Sequence, residues 1–220
     1  MAVANRSAPM DTLALVEYGP VIPVIVIDRS DQAVAMARAL VEGGVRVLEI
    51  TLRTPVALAA IEAIARHVPE AVVGAGTVRN VSDARAAQTA GATFAVSPGC
   101  TPQVAQACRD LGLPLLPGAA TASEVMLAAE LGFRFLKFFP AAAAGGPALL
   151  KAWAGPFADM VFCPTGGISA ASAAEYLALA NVEVVGGSWL TPADAMAAAD
   201  WPRITRLARD ASALRPPAAA

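Results

Sequence analysis

Short, almost unbroken apolar runs recur along the chain, each followed by a segment whose apolar residues return every three or four positions. The first run, residues 21–27, comes after Gly19-Pro20, which halts a short leading helix over residues 11–18. Further runs cover residues 45–52, 71–78, 94–97, 114–116, 133–139, 160–163 and 182–185. Runs of this length, rich in β-branched and aromatic residues and apolar at consecutive positions, predict strands buried on both faces. Helices are predicted between them. Ser30-Asp31 caps one that runs to Glu42 and stops at Gly43-Gly44, and Thr54-Pro55 starts another that ends at His67. Others cover residues 82–90, 101–111, 121–131, 147–153 and 169–179, and residues 192–199 and 204–211 close the series.

Eight strand-then-helix units of similar spacing, with no interrupting linker, predict one domain over residues 1–220. Parallel strands need crossover helices, and eight such units close into a (β/α)8 TIM barrel. A doubly wound open sheet competes, but usually has fewer units. The barrel core is expected over about residues 21–211, with a frayed tail at 214–220, where Pro216-Pro217 and alanines end the chain.

Composition narrows the function classes. The chain is 56% hydrophobic and 15% charged, with a formal net charge of −2 and no basic block, so nucleic-acid binding has no electrostatic footprint. The apolar run at 21–27 is too short to span a bilayer, and residues 1–10 lack a signal peptide's basic start and long apolar stretch. Cys100, Cys108 and Cys163 are odd in number and lack C-x-x-C spacing, which points away from a disulfide framework or zinc site. A soluble cytoplasmic protein with neither nucleic-acid nor membrane partner is the expectation.

One residue breaks the apolar pattern. Of 16 Lys plus Arg residues only Lys137 and Lys151 are lysine, and Lys137 sits among Phe133, Phe135, Phe138 and Phe139. A buried ammonium is costly unless paired, and a neutral lysine amine is a nucleophile toward carbonyls. The bland alternative is a lysine snorkelling to the strand edge. In a barrel the chemistry gathers at the strand C-terminal ends. There the second strand brings Glu49 and Arg53, the third Thr77, the fourth Ser97-Pro98-Gly99, and the seventh Thr165-Gly166-Gly167. Strand parity puts Val45, Val47, Glu49 and Thr51 on one face, and Phe133, Phe135, Lys137 and Phe139 on one face of the sixth. If both faces point inward, Glu49 and Lys137 converge at the mouth. Gly166-Gly167 and Gly186-Gly187-Ser188 end strands seven and eight, where barrels often hold phosphate on backbone N–H groups; the bland reading is tight turns.

Six segments in order carry a family resemblance: Val47-Leu48-Glu49-Ile50-Thr51-Leu52-Arg53-Thr54, Val73-Gly74-Ala75-Gly76-Thr77, Val96-Ser97-Pro98-Gly99, Lys137-Phe138-Phe139-Pro140, Cys163-Pro164-Thr165-Gly166-Gly167-Ile168 and Gly186-Gly187-Ser188-Trp189. Collinear over about residues 21–211, the chain resembles the KDPG/KHG aldolases, class I enzymes that cleave 2-dehydro-3-deoxy-6-phosphogluconate. The resemblance implies a (β/α)8 barrel, a homotrimer, and no metal or organic cofactor. It implies Lys137 as Schiff-base lysine and Glu49 as proton shuttle, with Arg53 and Thr77 at the substrate carboxylate. Pro98, Phe139 and Thr165 would line the pocket, and Gly166, Gly167, Gly187 and Ser188 would hold the phosphate. The chain departs from the pattern at Ala141-Ala142-Ala143-Ala144, where relatives often have glutamate, and at Val26-Ile27-Asp28-Arg29, where some place arginine.

Other substrates fit the same residues: 4-hydroxy-2-oxoglutarate, or the galactonate epimer of the phosphorylated acid. Two other classes fit a lysine beside a phosphate cradle: a pyridoxal-phosphate protein and a non-catalytic phosphosugar-binding barrel. His67, the only histidine, is expected at a helix end away from the mouth. Cys163 is expected as a small buried hydrophobe, and Lys151 on a solvated helix.

Overall fold

The structure, a computed structural model, describes residues 12–214; the expectations for residues 1–11 and 215–220 lie outside it. After a 3₁₀ turn over Thr12–Tyr18, strands and helices alternate: β1 (Val21–Ile25), α1 (Ala33–Glu42), β2 (Val47–Thr51), α2 (Ala57–His67), β3 (Val72–Gly76), α3 (Val81–Thr89), β4 (Ala95–Val96), α4 (Pro102–Asp110). The second half continues with β5 (Leu115–Leu116), β6 (Gly118–Ala119), α5 (Ala122–Glu130), β7 (Phe135–Phe138), α6 (Gly146–Trp153), β8 (Val161–Pro164), α7 (Ala170–Leu177), β9 (Val185–Gly187), α8 (Ala193–Ala197) and α9 (Trp201–Ser212). All strand pairings are parallel, in a curled sheet ordered β5-β4-β3-β2-β1-β9 and a second ordered β6-β7-β8. Single parallel bridges, Phe162 to Val182 and Thr165 to Gly186, tie β8 to the last strand region. The result is an α/β fold of curled parallel sheets rather than one uninterrupted eight-stranded ladder.

Several boundaries differ from the expected ones for local reasons. The fifth strand is split by Pro117, which has no N–H to donate but whose carbonyl accepts from Lys137 N–H at 2.8 Å. Ser30 and Asp31 do not cap α1: they lie in a 3₁₀ turn, and Asp31 instead accepts from Arg29 at 2.6 Å. Thr54 does not start α2; its hydroxyl donates to the Ile27 carbonyl at 2.6 Å, pinning that loop to the end of β1. The eighth strand forms at 185–187 rather than 182–185. Thr101 caps α4 by accepting from Val104 N–H, and Thr121 forms a capping box with Glu124 on α5.

The strands are apolar throughout because two cores use them. Ile25, Leu48, Ile50, Leu136, Phe138 and Phe162 face the helices and pack with residues such as Met36, Ile61, Trp153 and Ile204. Ile22, Val47, Phe94, Val96, Leu116, Phe135, Cys163 and Val184 fill the space enclosed by the strands, where Leu15 of the leading turn joins them. Along β2 and β7 the two sets alternate, as a period of two requires. Gly74 makes room in the inner core: a Cβ there would land on the Phe94 ring, itself 1% exposed. Gly74→Ala is therefore expected to destabilise the fold by about 1–3 kcal/mol, read as a lowered denaturation midpoint. A midpoint within error of the parent would contradict this packing.

Candidate active site

Lys137 and Glu49 meet. Both are buried, at 3% and 2% exposure, and Lys137 Nζ donates to Glu49 Oε1 at 3.1 Å. Snorkelling is excluded, since the ammonium reaches a carboxylate rather than water. The convergence follows from the inward faces of β2 and β7, on strands that are not neighbours in either ladder. Gly76 supplies the space, because a Cβ on it would collide with Glu49 Oε1. The four neighbouring phenylalanines do not all face the lysine. Phe139 lies with its ring centroid 5.3 Å from Lys137 Nζ, and Phe135 packs in the inner core. Phe138 turns away to an edge contact with Trp153 at 5.3 Å, and Phe133 carries the Arg109 guanidinium over its ring.

Arg53 and Thr77 form a second unit. Arg53 Nε donates to Thr77 Oγ1 at 3.2 Å, and Thr77 holds a left-handed backbone, φ 63°, just beyond β3. A non-glycine residue in that region costs of order 1–3 kcal/mol, so surrounding contacts must hold it there. The Val78 N–H bond to the Val96 carbonyl at 3.1 Å is one of them. Arg53 is exposed and Thr77 half-buried, so both are open to a ligand. A guanidinium can meet a carboxylate with two parallel N–H bonds, which a lysine cannot copy.

Pro98 and Phe139 are half-buried, and Pro98 ends the β4 region beside Gly118. Thr165, 4% exposed, lies over Gly186 and donates to the Cys163 carbonyl at 3.3 Å. Gly166 and Gly167 take φ values of 100° and 74°, which favour glycine, and lead directly into α7, capped by Ser169. The Phe139–Ala142 loop is tied to them: Ala141 N–H donates to the Thr165 carbonyl at 2.8 Å and Ala142 N–H to the Gly166 carbonyl at 3.0 Å. Gly187 is buried and Ser188 exposed at the end of β9. The run of alanines therefore packs on the Gly166-Gly167 loop with no charge of its own. In the loop after β1, Arg29 is paired with Asp31.

Residues outside these groups take their bland places. His67 ends α2, exposed, with its carbonyl accepting from Arg38 at 3.4 Å; Lys151 is exposed on α6. Cys163 is buried beside Lys137 in the β7–β8 register, and burial pushes its thiol up to about 12 although the Lys137 charge opposes this. Three residues have a space-filling or space-giving role that the sequence reading did not assign: Gly76, Gly186 and Trp189 near Gly187. The alternation Gly74-x-Gly76, two glycines on one strand face, was a usable signal for the first. The other two depend on contacts between separate strands or across a turn.

Comparison with known proteins gives a consistent picture. The family profile "KDPG and KHG aldolase" matches residues 13–207. The KHG/KDPG aldolase of Escherichia coli (strain K12) is 54% identical over 198 residues, 90% of this chain and 93% of that protein. Among solved structures, KDPG aldolase from Legionella pneumophila, captured with pyruvate as a covalent carbinolamine, superposes with a TM-score of 0.90 at 45% identity, covering 92% of this chain and 98% of that one. The 2-keto-3-deoxy-6-phosphogluconate aldolase of Zymomonas mobilis ZM4, solved with 3-phosphoglycerate, gives a TM-score of 0.91 at 46% identity, covering 97% and 100%.

Proposed function

The chain belongs to the KDPG and KHG aldolase family, and we propose that it is a class I aldolase cleaving 2-dehydro-3-deoxy-6-phosphogluconate to pyruvate and glyceraldehyde 3-phosphate. The observation that carries this reading is the buried Lys137–Glu49 pair at 3.1 Å. Lys137 Nζ, after passing a proton to Glu49, attacks the substrate's 2-oxo carbon and forms a carbinolamine. Loss of water, with Glu49 returning the proton to the departing hydroxyl, leaves a protonated imine. Glu49 then takes the proton of the C4 hydroxyl, the C3–C4 bond breaks, and its electrons pass into the imine. The products of that step are an aldehyde and an enamine. Proton return from Glu49 to C3 gives the pyruvate imine, and water hydrolyses it to pyruvate and free Lys137. One carboxylate that both takes and gives protons suits every step.

Arg53 and Thr77 hold the substrate carboxylate, and Pro98, Phe139 and Thr165 line the reacting carbons. Gly166, Gly167, Gly187 and Ser188 hold the phosphate, aided by the N-terminus of α7. The reading asks for neither metal nor organic cofactor. The two sheets and their bridges support one closed (β/α)8 barrel domain with its mouth at the strand C-terminal ends. The three free thiols fit a reducing, cytoplasmic setting. Among the described residues, no helix is long and apolar enough to cross a membrane. Exposed Met126 and Leu127 on α5 fit the homotrimer that the resemblance implies; a sedimentation mass of a single chain would refute that assembly.

The test is steady-state cleavage, with pyruvate release followed for the phosphorylated acid, its galactonate epimer and 4-hydroxy-2-oxoglutarate. The gluconate derivative is expected to give the highest kcat/KM, and absence of pyruvate from all three would refute the activity. Arg53→Lys is expected to raise KM about tenfold or more with a smaller change in kcat, because a point cation loses both the paired carboxylate bonds and the Thr77 anchor. An unchanged KM would remove Arg53 from the carboxylate site.

A further inference from the structure

Gly186 and Gly187 are consecutive, yet a different neighbour excludes a side chain at each. A Cβ on Gly186 would run into the Thr165 hydroxyl, while one on Gly187 would run into the six-membered ring of the Trp189 indole. Neither residue lies in the left-handed region, so the space and not the backbone conformation demands glycine. Successive side-chain positions on a strand point to opposite faces, so Thr165 sits on the face toward the mouth and Trp189 on the other. The Trp189 indole is therefore folded back across the strand it follows.

The geometry around it is that of a clamp on a turn. Thr191 N–H donates to the Ser188 carbonyl at 3.3 Å, closing a turn that contains Trp189. Gly187 is registered against Pro23 in the β9–β1 ladder, so the strand entering the turn is fixed. Trp189 is half-buried, packs against the outer core, and forms one wall of a cavity of about 600 Å³ with Val24, Val26 and Met196. Ser188, which opens this turn, is exposed.

We propose that Trp189 is a positioning residue, whose indole over Gly187 sets the turn that presents Ser188 and the Gly187 backbone to the substrate's phosphate. This rests on the reading of Gly187 and Ser188 as phosphate-holding residues. Trp189 need not touch the substrate. It acts by filling the space beside Gly187 into which the strand end would otherwise relax, and a small misplacement of a binding group is enough to cost a large factor in rate.

The readout is a ratio: kcat/KM for the phosphorylated acid divided by that for 4-hydroxy-2-oxoglutarate, which has no phosphate. Trp189→Ala is expected to lower the ratio about tenfold, through KM of the phosphorylated acid, while Trp189→Phe keeps most of it. Gly187→Ala in the parent displaces the ring and lowers the ratio similarly. In the Trp189→Ala background the same Gly187→Ala change is expected to add little, because the obstructing ring is gone. Equal losses for both substrates in Trp189→Ala, or full additivity in the double variant, would overturn the proposal. Ser188→Asp separates the two layers by placing a negative charge at the phosphate. If it leaves the ratio unchanged, the phosphate reading fails and the proposal with it. If it lowers the ratio while the Trp189 variants do not, the proposal alone fails.

Discussion

Lys137→Ala is expected to abolish turnover, lowering kcat by at least about 10⁴-fold, as loss of a covalent nucleophile does. The other lysine, Lys151, is exposed on α6 and so is not placed to replace it. The loss has a structural part that must be separated from the chemical one. Removing the ammonium leaves Glu49 buried without its cation, and breaking a buried pair from one side costs about 3–5 kcal/mol. Replacing both partners is different, because a buried ion pair exchanged for apolar residues of similar volume is often neutral. The double variant Lys137→Met with Glu49→Leu is therefore expected to have near-parental stability and no activity. Turnover within tenfold of the parent in any folded Lys137 variant would contradict the imine mechanism.

Glu49→Gln is expected to lower kcat about 10²–10⁴-fold, the usual contribution of a positioned acid–base group. The amide keeps the shape and offers Nζ an acceptor, so the lysine stays hydrogen-bonded, but it cannot take a proton and return it. Two observables should fall together: cleavage of the phosphorylated acid, and exchange of the pyruvate methyl protons with deuterated solvent. The exchange reports protonation and deprotonation at C3 alone. If cleavage slows while exchange keeps the parental rate, another group moves the C3 proton and Glu49 serves only the C4 hydroxyl or the carbinolamine.

How far the fold and site were legible follows the range of the forces involved. The alternation along residues 45–51 and 133–139 was enough to put Glu49 and Lys137 on inward faces, because parity is a local property of a strand. The six motifs placed the chain in its family for the same reason: each is a contiguous strand end. What escaped depends on contacts between distant residues. Thr54 looked like a helix start, yet its hydroxyl goes to Ile27, a partner that only the fold brings near. Pro117 splits the fifth strand, and the sheet tolerates it because its carbonyl still serves Lys137. Parity put Phe133, Phe135 and Phe139 on the face of Lys137, but Phe133 precedes the strand and packs against the outer core under Arg109, so only Phe135 and Phe139 remain on its side. Gly186 and Gly187 read as phosphate-loop glycines, or blandly as tight turns, and that Thr165 and Trp189 exclude side chains there was not legible.

Reductive trapping is the most direct test of Lys137 as the nucleophile. The enzyme is incubated with pyruvate and sodium borohydride, digested, and mapped by peptide mass. Reduction converts the imine to a stable secondary amine, so the peptide containing Lys137 is expected to carry one pyruvate-derived adduct as activity is lost, with Lys151 unmodified. An unmodified Lys137 in inactivated enzyme, or an adduct confined to Lys151, would contradict the Schiff-base assignment.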